Sequence, residues 1–140
     1  MLRINKKEYD LIINHVVLNL PKEACGLLGG IVEQGVKLVK EVYLLRNVDE
    51  SEEHFSMDPK EQLLAVRDLR QKGYELFGNF HSHPATPARP SEEDKRLAFD
   101  PKASYLILSL ENRNQPVLKA FCISNGKVSE EEIELIDLEA

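Results

Sequence analysis

Apolar positions near the start of the chain recur every three or four residues: Tyr9, Ile12, Ile13, Val16, Val17 and Leu20. That is the spacing of one face of a helix. Asn5 followed by Glu8 reads as a capping box at its start, and Pro21 stops it. The pattern then shifts to short apolar runs. EACGLLGGIVEQG, broken by Gly26, Gly29 and Gly30, and KLVKEVYLLRN read as two strands joined at Gln34-Gly35. Residues 47–58, NVDESEEHFSMD, form a polar loop. Asp58 and Pro59 read as the cap and first residue of a second helix, which carries Leu63, Val66 and Leu69 and ends near Gly73. ELFGNFHSH reads as a third strand, and the prolines of PATPARP exclude regular structure after it. Ser91 opens a short helix that ends near Asp100-Pro101. SYLILSL, QPVLKAFCI and KVSEEEIELI read as three last strands, with turns at Asn114 and Asn125-Gly126. The order α-β-β-α-β-α-β-β-β predicts the α/β (α+β) class, one mixed or mainly antiparallel sheet flanked by helices.

At 140 residues the chain is expected to be one domain, 1–140. Lys plus Arg is 18 and Asp plus Glu is 24, a net charge of −6. That balance argues against nucleic acid or anionic lipid as the main partner, since both demand a basic footprint. Cys25 and Cys122 stand far apart with no C-x-x-C pair, which fits a reducing compartment. The first residues carry no apolar leader, and no apolar run is long enough to span a membrane. A cytoplasmic location is the expectation.

His81 and His83 lie two apart on a predicted strand, so their side chains share a face. Pro84 turns the chain, and Asp94 falls in the first turn of the next helix. Two nitrogens and one carboxylate are the ligand count of a catalytic zinc site, which keeps a fourth position open. Imidazole also suits iron, copper and nickel. Each piece has a plainer reading. A lone His-x-His is more often a pair of packed or surface histidines. Ser91-x-x-Asp94 is a good helix cap with an acidic third residue. The conjunction favours the metal, and the cap reading holds beside it because a fixed helix start aims Asp94.

A hydrolytic centre also needs a base. Zinc lowers the pKa of a bound water to about 7, and a nearby carboxylate can then take its proton. Glu23, at the start of the glycine-rich strand, is the candidate, although spacing alone does not separate it from the other acidic residues. Ser91 is the candidate donor to an oxyanion. Cys25, two residues from Glu23, reads first as a small packing residue near the site, second as a substrate-facing lining, and third as the nucleophile of a thiol hydrolase. His15 lies off the apolar stripe and reads as exposed, His54 as a solvated loop residue.

These residues resemble the JAMM (MPN+) metalloprotease family. Its signature is an upstream Glu, then H-[S/T]-H, seven residues, then S-x-x-D. Here these are Glu23, His81-Ser82-His83, residues 84–90 and Ser91-Glu92-Glu93-Asp94. EACGLLGG, Met57-Asp58-Pro59, the GNF before the histidines and the YLILSL strand also resemble the small prokaryotic members, so the likeness covers nearly the whole chain. The resemblance implies Zn2+ on His81, His83 and Asp94, Glu23 as general base, and Ser91 steadying the water and the oxyanion. It implies a mixed sheet between helices. It also implies a peptidase or isopeptidase that cuts after the C-terminal glycine of a ubiquitin-fold protein. The loops at 47–58 and after Asp94 are short, which points to a sulfur-carrier or prokaryotic ubiquitin-like partner whose tail adds as a strand beside the metal. The same fold also serves as a scaffold with a decayed metal site, the non-enzymatic alternative, but here every motif position is filled. A homodimer is compatible with the resemblance and unargued by the residues.

Overall fold

Gln34 and Gly35 both adopt positive φ, 51° and 78°, and so do Asn125 and Gly126, at 51° and 75°. Two such residues in succession make the tight turn whose twist suits antiparallel strands. They join β2 (Cys25–Glu33) to β3 (Val36–Leu45), and β6 (Val117–Ser124) to β7 (Lys127–Glu131). The remaining elements are β1 (Leu2–Asn5), α1 (Lys6–Asn19), α2 (Pro59–Gln71), β4 (Glu75–His83), α3 (Glu92–Arg96), β5 (Ser104–Ser109) and β8 (Ile133–Ile136). This computed structural model describes residues 1–137.

The sheet runs β7-β6-β5-β4-β2-β3-β1-β8. β4 and β5 are parallel, as are β1 with β3 and β1 with β8, and the other pairs are antiparallel. The sheet is therefore mixed, as expected. α1 covers one face, burying Ile12 and Val16 against Leu2, Ile4, Leu28, Phe80, Leu106 and Leu108. The opposite face carries two smaller clusters. Cys25, Leu27 and Leu45 meet Ala65 of α2, while Ala88, Ile107, Phe121 and Ile123 pack beneath α3. The histidine pair lies between these two clusters on the strand that joins them. Among the described residues no helix is long and apolar enough to cross a membrane.

Several expectations change. Leu2–Asn5 forms a strand that four residues at the very start of a chain do not announce. KVSEEEIELI is not one strand. It breaks at Glu132 into β7, which pairs with β6, and β8, which pairs with β1 at the other end of the order. A single residue thus separates the two edge strands along the chain, and the Leu2 amide donates to its carbonyl, that of Glu132, at 2.9 Å. α3 stops at Arg96, well before Asp100. Asn5 does cap α1, accepting from the Lys7 amide, but Glu8 does not complete a box, and one of its carboxylate oxygens is buried without a partner. Val17 and Leu63 follow the helical spacing yet are 50% and 52% exposed. The buried stripes are narrower than the apolar pattern.

Gly26 shows why the glycine-rich strand takes no side chain there. A Cβ at that position would lie 2.1 Å from the Tyr43 carbonyl and 2.3 Å from the Phe80 ring. Phe80 fills that space and is fully buried, next in sequence to His81.

Candidate metal centre

β4 supplies two candidate ligands because of its alternation. His81 and His83 point to one face, while Ser82 between them points to the other and is fully buried. The Ser82 hydroxyl accepts from the Ala24 amide at 2.8 Å, and the Ser82 amide donates to the Ala24 carbonyl at 3.0 Å. The strand bearing the histidines is thereby stitched to the residue that follows Glu23.

Ser91 and Asp94 form a reciprocal capping box at α3. The Ser91 hydroxyl accepts from the Asp94 amide at 3.0 Å, and Asp94 Oδ2 accepts from the Ser91 amide at 2.9 Å. The same Oδ2 lies 3.2 Å from Nε2 of both histidines, and the two Nε2 atoms are 3.1 Å apart. The cap is formed, and it leaves Asp94 Oδ2 placed where it could also serve as a ligand beside the two histidines.

The three donor atoms form a nearly equilateral triangle. Bonds of about 2.0–2.1 Å to a tetrahedral ion set its donors roughly 3.3 Å apart. The observed triangle is close to one face of such a tetrahedron, and His81, His83 and Asp94 are the metal-competent group among the described residues. The outer atoms agree for His83. Its Nδ1 donates to the Pro87 carbonyl at 2.9 Å, which leaves the Nε2 lone pair free for an ion. His81 differs, because its Nδ1 is buried and has no hydrogen-bond partner among the described residues.

Charge in the cluster is sorted by burial and by these contacts. Burial alone would raise the Asp94 carboxyl, but hydrogen bonds from His81 and His83 outweigh it and hold the carboxylate well below the usual range. Burial pushes His81 down. Burial opposes charge on His83 as well, yet the Asp94 carboxylate and the Pro87 carbonyl win and raise it.

Glu23 sits just before β2 rather than on it. It is 5% exposed. Burial, reinforced by the Asp94, Glu93 and Glu53 carboxylates and opposed by His83, pushes its carboxyl up to about 8. Its backbone is pinned by the 47–58 loop, with its amide donating to the Ser51 carbonyl at 2.7 Å. Glu23, His83 and Ser91 line one open cavity of about 390 Å³, together with Glu52, Glu53 and Thr86. A narrower apolar cavity of about 40 Å³ adjoins the other side of the cluster, between His81, Asp94, Phe55, Leu97 and Ile107. The structure thus brings together all five residues singled out from the sequence.

Cys25 faces the same side as its cross-strand neighbour His81 but is 0% exposed, packed with Leu27, Leu45 and Ala65. Burial, aided by Glu61 and Glu23, pushes its thiol up to about 12. A thiol that is sealed and protonated at neutral pH is a packing residue. His15 is not exposed as expected. Its Nε2 lies 3.1 Å from both the Cys25 and Leu45 carbonyls, and its ring meets Phe80 edge-on. His54 is exposed but lies 3.4 Å from Glu93, the neighbour in sequence of Asp94.

Two residues escaped the sequence reading. Asn47 is buried and spends its whole side-chain amide on the loop. Its Nδ2 donates to the Glu23 and His54 carbonyls, both at 3.0 Å, and its Oδ1 accepts from the Asp49 and Ser56 amides. Phe55 stacks on His81, with centroids 4.6 Å apart and planes 23° from parallel. A lone Asn and a lone Phe in an acidic loop carry no periodic signal that could have marked them.

A family model described as prokaryotic homologs of the JAB domain matches residues 5–123. The CysO-cysteine peptidase of Mycobacterium tuberculosis is 29% identical over 128 residues, 91% of this chain and 86% of that protein. The desampylase of Pyrococcus furiosus is 38% identical over 118 residues, 78% of this chain and 81% of that one. A Desulfitobacterium hafniense protein solved in solution is 55% identical and superposes with a TM-score of 0.90, covering 99% of this chain and 94% of its own.

Proposed function

Since the chain belongs to the family of prokaryotic homologues of the JAB domain, we propose that it is a zinc metallopeptidase that cleaves the bond after the C-terminal glycine of a ubiquitin-like or sulfur-carrier protein. The observation that carries this reading is the triangle of His81, His83 and Asp94 donors, with the buried carboxyl of Glu23 lining the same cavity as His83. The names of two relatives, a CysO-cysteine peptidase and a desampylase, support the reaction class and the kind of conjugate.

His81, His83 and Asp94 hold the ion. Zinc, when bound, supplies Lewis acidity, which lowers the pKa of a water to about 7 and polarises a carbonyl. Glu23 is the proton carrier. Its buried carboxyl, on the cavity that His83 and Ser91 also line, can accept a proton from water and return it to a leaving amine. Ser91 Oγ already accepts from the Asp94 amide, so its hydroxyl proton remains to donate to the oxyanion of the tetrahedral intermediate. The His83–Pro87 bond keeps the Nε2 lone pair of His83 facing the ion. Ser82 and Asn47 keep the Glu23 segment against the histidine strand. The thiol-hydrolase reading is opposed by the sealed, protonated Cys25. The scaffold reading is opposed by a complete ligand set.

The test is incubation of zinc-loaded protein with a ubiquitin-fold protein whose Gly-ending tail carries a C-terminal extension, with products read by mass spectrometry. A single cut after the glycine, abolished by chelator, is expected. No cut on any such substrate, or a cut insensitive to chelator and blocked by iodoacetamide, overturns the reading. Efficient digestion of casein would overturn the preference for a flexible glycine-ending tail.

A further inference from the structure

Metal-bound histidines are usually oriented by a hydrogen bond from the ring nitrogen that does not touch the ion. His83 has that bond, through Pro87. His81 does not. Its Nδ1 is buried and has no partner among the described residues. The buried imidazole is therefore held by polar contacts on its Nε2 side alone, through Asp94 and His83, and by none on its Nδ1 side.

What lies against it is the face of Phe55. The two rings are near parallel at 4.6 Å. Resting on the metal-centre reading above, we propose that Phe55 is a positioning residue of that centre, its ring fixing the plane in which the His81 imidazole presents Nε2 to the other two donors. Stacking restrains the tilt of a ring as a hydrogen bond would, because rotating either ring costs contact across both faces.

Phe55 can do this only if its own loop is fixed, and it is. The Asn47 side chain bonds the carbonyl of His54 and the amide of Ser56, the residues on either side of Phe55. Phe55 also packs against the cluster of Cys25, Leu27, Leu45 and Ala65, so α2 and the start of β2 back it from behind. A segment without regular structure thus presents an aromatic face at a set height over one ligand. Phe55 and His81 together line the narrow apolar cavity beside Asp94 and Leu97.

The test compares Phe55→Leu, which keeps apolar bulk and loses the ring, with Phe55→Tyr, which keeps the ring. Zinc dissociation constants come from competition with a chromophoric chelator. The visible spectrum of the cobalt-substituted protein reports ligand geometry. Thermal unfolding of the metal-free proteins reports the fold. Phe55→Leu is expected to bind zinc about 10–100-fold more weakly, the usual effect of losing an outer-shell partner, with an altered cobalt spectrum and a cooperative metal-free transition. Phe55→Tyr is expected to keep wild-type affinity and spectrum. Should Phe55→Leu fail to fold, Phe55→Met carries the same comparison. Wild-type affinity and spectrum in Phe55→Leu would overturn the proposal, as would equal losses in the Leu and Tyr variants. A wild-type protein that takes up neither zinc nor cobalt would overturn the metal-centre reading and this proposal with it.

Discussion

The side-chain amide of Asn47 donates to the backbone carbonyl of Glu23 at 3.0 Å. This contact joins two segments, the acidic loop and the start of β2, that the chain separates by a hairpin. Because Asn47 is 6% exposed and its amide is fully used, losing it strands two carbonyls and two amides together. Asn47→Ala is expected to lower stability by about 2–3 kcal/mol, the cost of buried polar groups left unmatched. In the zinc-saturated enzyme it should also lower kcat, because Glu23 is released from its anchor while the ligand triangle is not. Thermal unfolding and turnover at saturating zinc check both. Unchanged kcat would separate Asn47 from the placement of the base.

Removing the base alone should give a cleaner result. Glu23→Gln keeps shape and hydrogen-bonding ability but cannot carry the proton. Zinc content and the unfolding transition should stay intact, while kcat falls by roughly 10²–10⁴, the usual contribution of a general base. Zinc is measured by mass spectrometry on protein purified without added metal, and turnover on the tailed substrate. Retained turnover would remove Glu23 from the mechanism.

Asp94 serves the helix cap and the ligand triangle with one oxygen, so its variants should split the two roles. Asp94→Ala should lose zinc and also the cap, the latter costing about 1 kcal/mol. Asp94→Asn retains an oxygen for the Ser91 amide and should keep the metal-free stability closer to wild type, yet its uncharged oxygen is a poor zinc ligand. His83→Ala should lose zinc with no cap effect. Metal content and metal-free unfolding curves distinguish the four proteins. Full zinc occupancy in His83→Ala would make the ligand assignment wrong.

The site was more legible in the sequence than the sheet was. His81, His83 and Asp94 could be read because strand alternation and a helix cap are local rules, and a proline-rich spacer of set length connects them. The two positive-φ turns, Gln34-Gly35 and Asn125-Gly126, were visible for the same reason. The break of the last strand at Glu132 was not. Whether KVSEEEIELI pairs with one neighbour or with two depends on where Leu2 and Ala120 lie, which is decided over the length of the chain. His15 looked exposed because helical spacing describes only its own helix. Its ring reaches the Cys25 and Leu45 carbonyls on β2 and β3, partners that no periodicity encodes. Phe55 and Asn47 were hidden likewise, since an irregular loop has no period from which to deviate.

Cys25 offers a check on the chemistry that was set aside. Its thiol is sealed and its proton held tightly. Iodoacetamide should leave the folded, zinc-loaded enzyme fully active and Cys25 unlabelled, as peptide mapping would show. Cys25→Ala should retain turnover and lose about 1 kcal/mol of stability through the small space left beside Leu27 and Leu45. Inactivation that tracks labelling of Cys25 would revive the thiol-hydrolase reading.

The raised carboxyl of Glu23 also predicts a pH signature in the metal-free protein. Its affinity for a proton rises from an ordinary value of 4.5 to about 8 on folding, chiefly through burial. Below 4.5 the carboxyl is protonated in both states and burial costs it little. Between 4.5 and about 8 the unfolded chain releases the proton and the folded chain keeps it, so stability falls with rising pH. Above 8 the folded carboxylate is charged as well and the loss levels off. Glu23→Gln lacks this group, so in that window its stability should gain on wild type as pH rises, with a final difference on the order of 2 kcal/mol after allowance for solvent screening at the open cavity. Urea unfolding of both metal-free proteins at closely spaced pH values measures the difference, which includes the change that losing Glu23 makes in the titration of its neighbour His83. Parallel curves from pH 4.5 to 8 would show that Glu23 titrates as an ordinary carboxylate in the metal-free fold.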